Sequence, residues 1–306
     1  MTMRDVPFVK YHATGNDFIV VSTNDMPPPS GVGPKARKAS ARLFAALARG
    51  ILARHTGVGA DGLLVSWPPL GERNHAAMQV FNADGSEAEI SGNGARCLAA
   101  WLLDIGAGLA RVAIETAAGL VTVEHTGDHY SERLFRVQMG EPVFEAEKIP
   151  FRAGKVPSPV VGYALPTSLG ARKVTVTSMG NPHCTVFVKS FDEFNWRALG
   201  REIENHTLFP NRTNVEFVRV VRPTEIEVRF WERGVGETAS SGTGSSAAVV
   251  ASRLNNLTAN TVRVKTPGGD LSVRWGASRM VFLTGPVRRI ASGTFDYNPR
   301  QRSRTS

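Results

Sequence analysis

The chain has 306 residues, of which 42% are hydrophobic and 21% charged. That length points to two domains, and that composition excludes a disordered chain. Net charge is +9, but residues 286–306 supply +4 of it, through Arg288, Arg289, Arg300, Arg302 and Arg304 against Asp296. The other 285 residues carry only +5, with no basic stretch interleaved with aromatics. Residues 299–306 therefore read as a solvated basic tail, and no nucleic-acid partner is expected. Two cysteines, Cys97 and Cys184, exclude a disulfide framework and a cysteine-rich metal site. No run of 18 apolar residues is present, and the first residues lack an apolar signal core. A cytoplasmic protein that does not enter membranes is the expectation.

In chain order, residues 18–21 predict a strand, residues 27–33 a Pro/Gly loop, and residues 38–55 a helix with Leu43, Phe44, Leu47, Ile51 and Leu52 on one face. Strands follow over 62–66, 77–81, 112–116, 120–123, 135–139, 174–177, 185–188, 215–221, 226–230, 262–265, 271–274 and 280–283. Helices over 93–105 and 244–254 begin in glycine-rich turns, and 196–206 predicts a further helix. Strands outnumber helices without alternating with them, so the fold class is α+β.

The sequence also repeats. Ser91-Gly-Asn-Gly94 recurs as Ser241-Gly-Thr-Gly244, each leading into a small-residue apolar helix. Phe81 and Asn82 precede the first serine as Trp231 and Glu232 precede the second. Gly15-Asn-Asp-Phe18 is matched by Gly180-Asn-Pro-His183. Two copies of one domain follow, over 1–130 (with 286–306 returning to it) and 131–285. Each glycine-rich turn would open a helix whose free N–H groups favour an anion. A cleft between the copies would then suit a small carboxylate held between two proton carriers. One such turn alone would read as close helix packing; two matched turns favour a site.

With those residues in hand, the chain resembles the diaminopimelate epimerase family. The matching segments are Lys10–Phe18, His55–Gly62, Phe81–Cys97, Ser178–Cys184, Thr213–Val215 and Glu232–Gly244. The resemblance implies two pseudo-symmetric α+β domains, each wrapping strands around a central helix, with no cofactor and no metal. It also implies a small amino-carboxylate substrate and a homodimer. In the family two cysteines flank the substrate α-carbon, and the matching positions here are Ser91 and Ser241. Their partners match His183 and Glu232. The amides that cradle the α-carboxylate match Gly92, Asn93, Gly242 and Thr243. The groups for the distal end of the substrate match Asn16, Asn82, Asn181, Asn214 and Arg233.

A cysteine thiol ionises near ~8.5, whereas a serine hydroxyl is a far weaker acid. A general base works best with a pKa near the working pH, so efficient epimerisation by two thiols is not expected of two hydroxyls. The readings that follow are an epimerase using His183, Glu232 or water with the serines as relays, and a silent amino-acid-binding homologue. Ranked below them are a double-bond isomerase and a hydrolase with Ser91 as nucleophile and His183 as base. The hydrolase ranks last because no carboxylate in the sequence stands out to orient His183. Cys97 and Cys184 read as buried small hydrophobes.

Other signals are weaker. Gly57-Val-Gly-Ala-Asp-Gly62 matches a dinucleotide fingerprint in letters, but a helical pattern precedes it and a strand follows, the reverse of what that fingerprint needs. His125 and His129 flank a turn signal at Gly127-Asp128 and read as surface residues. Asp84, Glu87, Glu89 and Glu237 read as turn and capping residues. Arg96 reads equally as a site cation or as packing.

Overall fold

A computed structural model describes residues 5–26, 31, 33–130, 132–154 and 156–297. Most of the 27–33 loop and the 299–306 tail lie outside the described residues. The chain divides into two compact units, residues 1–137 with 286–306, and residues 138–285. The first holds β1 (Val6–Ala13), β2 (Asn16–Ser22), α1 (Pro34–Ile51), β3 (Gly62–Trp67), β4 (Ala76–Asn82), β5 (Glu87–Ala88), α2 (Gly92–Asp104), β6 (Arg111–Thr116), β7 (Gly119–His129) and most of β8 (Glu132–Gly140). The second holds β9 (Val160–Leu165), β10 (Arg172–Ser178), β11 (Pro182–Phe187), α3 (Trp196–Glu204), β12 (Asn214–Arg222), β13 (Glu225–Glu232), β14 (Gly236–Thr238), α4 (Gly242–Leu254), β15 (Thr261–Thr266) and β16 (Gly269–Trp275). It also holds the start of β17 (Val281–Phe295), whose remainder returns to the first unit.

The fold is α+β, and the two units repeat one strand plan. In the first, β1–β2, β3–β4 and β6–β7 pair antiparallel, while β2–β3 and β4–β6 pair parallel. In the second, β10–β11, β12–β13 and β15–β16 pair antiparallel, while β11–β12 and β13–β15 pair parallel. Each parallel step is a crossover that needs a connecting segment. Those of the first unit contain α1 and α2, and those of the second contain α3 and α4. In the first unit β7 continues to β8, β17 pairs with β1, and β8 also pairs with β17, so these eight strands close on themselves.

α2 and α4 are the central helices. α2 is buried on every side from Asn93 to Leu102, and α4 from Gly244 to Ser252. A helix apolar or small all round must be enclosed. α2 packs against β1, β2, β3, β4 and β7, and α4 against β10, β11, β12, β13, β15 and β16. α1 and α3 are one-faced. α1 sets Phe44, Leu47 and Ile51 against Leu63, Trp67 and Phe81, while α3 sets Trp196, Leu199 and Ile203 against Phe217 and its neighbours. No helix among the described residues is long and apolar enough to cross a membrane.

The second glycine of each repeated turn is required by this packing. A Cβ on Gly94 would stand 2.9 Å from Leu64 Cδ2, and one on Gly244 2.9 Å from Phe230 Cδ1. The side chains beneath the helix start leave no room for a larger residue.

Several boundaries differ from the sequence expectation. α1 begins at Pro34, not residue 38, because proline suits the first turn of a helix, where its missing N–H has no partner to lose. β1 and β9 lack a clean alternating pattern: the interior of β1 is mixed in burial, and Gly162 in β9 has φ 66°. β17 runs on through Gly285 and Pro286, which read as a stop. His125 and His129 lie within β7; Gly127 at φ 140° supports a bulge there, and the chain reverses only at Tyr130. The 130/131 division falls in the β7–β8 hairpin, which keeps residues 132–137 with the first unit.

The Gly57–Gly62 stretch is a helix-to-strand connector. Gly57 N–H donates to Ala53 O, Val58 and Gly59 N–H to Ile51 O, and Ala60 N–H to Leu52 O. Its amides satisfy the last carbonyls of α1, so none is left for a phosphate.

Candidate active site

Each unit builds the same device at the start of its central helix. Ser91 is the N-cap of α2 with φ −140° and ψ 117°, and Ser241 is the N-cap of α4 with φ −135° and ψ 126°. Ser91 Oγ accepts from Gly94 N–H at 3.0 Å, and Ser241 Oγ from Gly244 N–H at 3.2 Å. Serine is a favoured N-cap because its short hydroxyl reaches an otherwise unpaired amide. The preceding amides, of Gly92 and Asn93 and of Gly242 and Thr243, have no protein acceptor among the described residues. They lie at the positive ends of the two helices, where unpaired amides favour an anion.

In the first unit a chain of amides runs from this helix start to β2. Arg96 Nη2 donates to Asn93 Oδ1; Asn93 Nδ2 donates to Asn16 Oδ1 at 3.1 Å; Asn16 Nδ2 donates to Asp61 Oδ2 at 2.9 Å. A guanidinium can only donate and a carboxylate here accepts, so both ends fix which way each amide faces. Arg96 is fully buried and makes no salt bridge among the described residues; burial lowers its pKa to about 10. Asp61 and Asp17 are held in turn by Arg54, with Lys10 on Asp17. Burial alone would raise the Asp17 carboxyl, but Lys10, the Asp61 amide and Arg54 outweigh it and hold it low. Asn82 stands apart, bonded within its own turn to Ser86 Oγ.

The second unit is richer in titratable groups. Glu232, at the end of β13, accepts from Thr238 Oγ1 at 2.6 Å, and the nearby Ser241 hydroxyl also favours its charged form. Burial pushes its carboxyl above the ordinary range, outweighing both hydroxyls. His183 on β11 is fully buried, with Nε2 2.8 Å from Asn181 Oδ1 and Nδ1 2.6 Å from Glu216 Oε1. Burial raises Glu216 also, with His183 opposing. Asn214 lies beside His183 in the parallel β11–β12 register; its Nδ2 donates to Pro182 O at 2.9 Å, and its Oδ1 accepts from Arg233 N–H at 3.0 Å. The Arg233 guanidinium reaches Asn211 O and is otherwise exposed.

Comparison with known proteins decides what these motifs belong to. A family profile described as Diaminopimelate epimerase matches residues 8–145 and 175–290. The chain belongs to the diaminopimelate epimerase family. A diaminopimelate epimerase of Pelotomaculum thermopropionicum is 41% identical over 95% of this chain and 99% of its own length. One from Halothermothrix orenii is 39% identical over 94% and 97%. Among solved structures, a hydroxyproline epimerase from Agrobacterium vitis aligns with TM-score 0.65 at 17% identity, over 96% of this chain and 91% of that one. A PhzF-family protein from Bacillus anthracis aligns with TM-score 0.66 at 15% identity, over 95% and 99%. These likenesses show that the fold is shared.

Within the diaminopimelate epimerase fold, the structure joins Asn16 to Asn93 in one unit. In the other it gathers His183, Asn181, Asn214, Glu232, Arg233 and Ser241. It leaves Asn82 in its turn. Sequence reasoning missed Glu216, the carboxylate that His183 lacked. In Val215-Glu-Phe-Val218 it reads as a polar face of an alternating strand, and only the parallel register with β11 reveals its partner. Both thiols are fully buried; burial pushes Cys97 up to about 12 and Cys184 well above the usual thiol range. A thiol that cannot ionise is a poor proton carrier. Asp84 caps its own turn through Ser86, and Glu237 pairs with Arg197.

Proposed function

We propose that this chain is a cofactor-independent epimerase acting at the α-carbon of diaminopimelate or a closely similar amino-dicarboxylate. Ser91 and Ser241 act in it as proton relays where relatives use thiols. The observation that carries the reading is the pair of matched N-cap serines, each beside two unpaired helix amides. Those amides would hold the α-carboxylate. Asn16, Asn82, Asn181, Asn214 and Arg233 would hold the distal amino-carboxylate end.

The hydroxyl of Ser241 has the capacity this role needs. It accepts one hydrogen bond from Gly244 N–H, and with its own proton turned to the neighbouring Glu232 carboxylate it would keep one lone pair free. In our reading the substrate α-proton passes to that lone pair as the hydroxyl proton passes to the Glu232 carboxylate. The carbanion is then protonated on its opposite face from the Ser91 hydroxyl, which regains a proton from water, while His183 lies beside Glu232 in the second unit. Glu232 is the true base, and its raised pKa strengthens it toward a carbon acid. Because no thiolate takes part, turnover is slow beside that of a two-thiol enzyme.

We place the protein in the cytoplasm as a homodimer. Its two free, buried cysteines suit a reducing compartment, and light scattering on the purified chain checks the dimer. The deciding experiment is incubation with LL-diaminopimelate in D₂O, followed by NMR and chiral chromatography. Deuterium at the α-carbon together with the meso isomer supports the reading. Tight binding with no exchange overturns it in favour of a silent binding homologue.

A further inference from the structure

Glu216 and His183 are both enclosed, at 1% and 0% side-chain exposure. They sit on the neighbouring parallel strands β12 and β11, where His183 registers with Asn214 and Thr185 with Glu216. The carboxylate therefore lies diagonally from the imidazole and reaches Nδ1 at 2.6 Å. Its other oxygen is approached by Thr185 Oγ1 at 3.5 Å. Glu216 also lies beneath the start of α4, close enough that a Cβ on Gly244 would meet its Oε1 at 3.1 Å. The carboxylate is thus packed between β11 and the turn that carries Ser241.

A contact of 2.6 Å between two such atoms must contain a proton. Once Nδ1 is occupied in this way, Nε2 is the nitrogen that faces Asn181, 2.8 Å from its Oδ1, to which it donates. The other titratable groups facing the pair are Glu232 on β13, whose carboxyl senses both members, and Cys184 beside His183 on β11, a thiol that burial keeps protonated. Thr177, registered opposite His183 on β10, contributes only a hydroxyl.

We propose that Glu216 is a positioning residue for His183: as a carboxylate it takes the Nδ1–H hydrogen bond, fixes the orientation of the ring, and presents Nε2 on the Asn181 side. The proposal rests on the reading that His183 belongs to the active site, but its first test does not depend on turnover. Burial raises the Glu216 carboxyl, and contact with the imidazole opposes this.

The measurement is ¹⁵N NMR of the full chain labelled at histidine, assigned with His183→Gln. The expected result is a protonated Nδ1 on His183, its proton shifted downfield and protected from solvent exchange. Glu216→Gln, which keeps the shape, is expected to lose the downfield signal while the chain stays folded by circular dichroism. In the α-proton exchange assay the same variant is expected to lower kcat about tenfold or more, with KM for diaminopimelate little changed. An unprotonated Nδ1 in the unmodified protein overturns the proposal, as does a Glu216→Gln variant whose His183 signals and kcat match the original. If the unmodified protein exchanges no α-proton, the proposed function fails, and the Nδ1 signal still decides the role of Glu216.

Discussion

Replacing both Ser91 and Ser241 by cysteine tests the relation between helix capping and proton transfer at the same two positions. The two hydroxyls accept from Gly94 and Gly244 N–H at 3.0 and 3.2 Å. Sulfur is a weaker acceptor, so each exchange should forfeit much of an N-cap, worth about 1 kcal/mol. A loss of that size lowers the melting temperature of a unit this large by about 2–4 °C. The chemistry should move the other way. An ordinary thiol of pKa ~8.5 is about 3% thiolate at pH 7, and the positive end of a helix raises that fraction further. A serine hydroxyl offers no comparable population of base. Competent acid–base groups contribute about 10²–10⁴-fold, and a gain in that range is expected for α-proton exchange on diaminopimelate in the double variant. The assay is deuterium incorporation in D₂O beside thermal unfolding of the same preparation. A double-cysteine variant that folds and binds diaminopimelate but exchanges no faster would refute the claim that the two hydroxyls limit the rate. An unchanged melting temperature would refute their role as caps.

Three further outcomes are expected. Ser241→Ala should cost more stability than Ser91→Ala by about 1 kcal/mol in urea unfolding, because it also removes a hydroxyl that favours the charged form of the partly buried Glu232. Cys97 and Cys184 should be silent to a thiol-specific chromogenic reagent in the native protein and both react in denaturant; rapid native labelling of either would contradict their burial. Glu115 titrates at about 2, because the Asn74 side chain, the Gly71 and Leu70 amides and Arg37 outweigh a burial effect that would raise it. Since the folded value lies below the unfolded one, its contribution is complete above about 4.5 and is lost as pH falls toward about 2. Glu115→Gln should flatten acid unfolding in that window, and an unaltered acid limb would count against the interaction.

The duplicated architecture was legible in the sequence because its markers are local. Ser91–Gly94 and Ser241–Gly244 each combine an N-cap with a glycine that close packing requires, and both signals sit within four consecutive residues. Glu232 could be found by its fixed distance from Ser241. Glu216 could not, because its meaning depends on a parallel pairing between strands separated by α3, and nothing near Glu216 marks it as buried. The second half of β17 was hidden for the opposite reason. Its local signals, Gly285 and Pro286, argue for a stop, and long-range pairing with β1 overrides them.

That contrast bears on how the two serines should be understood. At an N-cap the side-chain atom at the γ position already has a structural duty, to receive the amide three residues on, and oxygen performs it better than sulfur. In a two-thiol epimerase the same atom must also hold a negative charge at neutral pH, which sulfur does and oxygen does not. A chain with serine at both places favours the first duty over the second. The cost falls on catalysis unless a neighbouring group takes the proton. In the second unit Glu232 stands ready to do so, with His183 and Glu216 beside it. In the first unit the described hydrogen bond of the Ser91 hydroxyl is to Gly94, and its neighbours Asn93, Asn16 and Arg96 form a chain of two amides and a guanidinium that offers no base near neutral pH. The two steps of an epimerisation should therefore be unequal. Proton removal at the Ser241 side should be faster than at the Ser91 side, so the isomer whose α-proton faces Ser241 should exchange in D₂O more rapidly than its epimer. Equal initial exchange rates from the two isomers would show that Glu232 gives Ser241 no advantage.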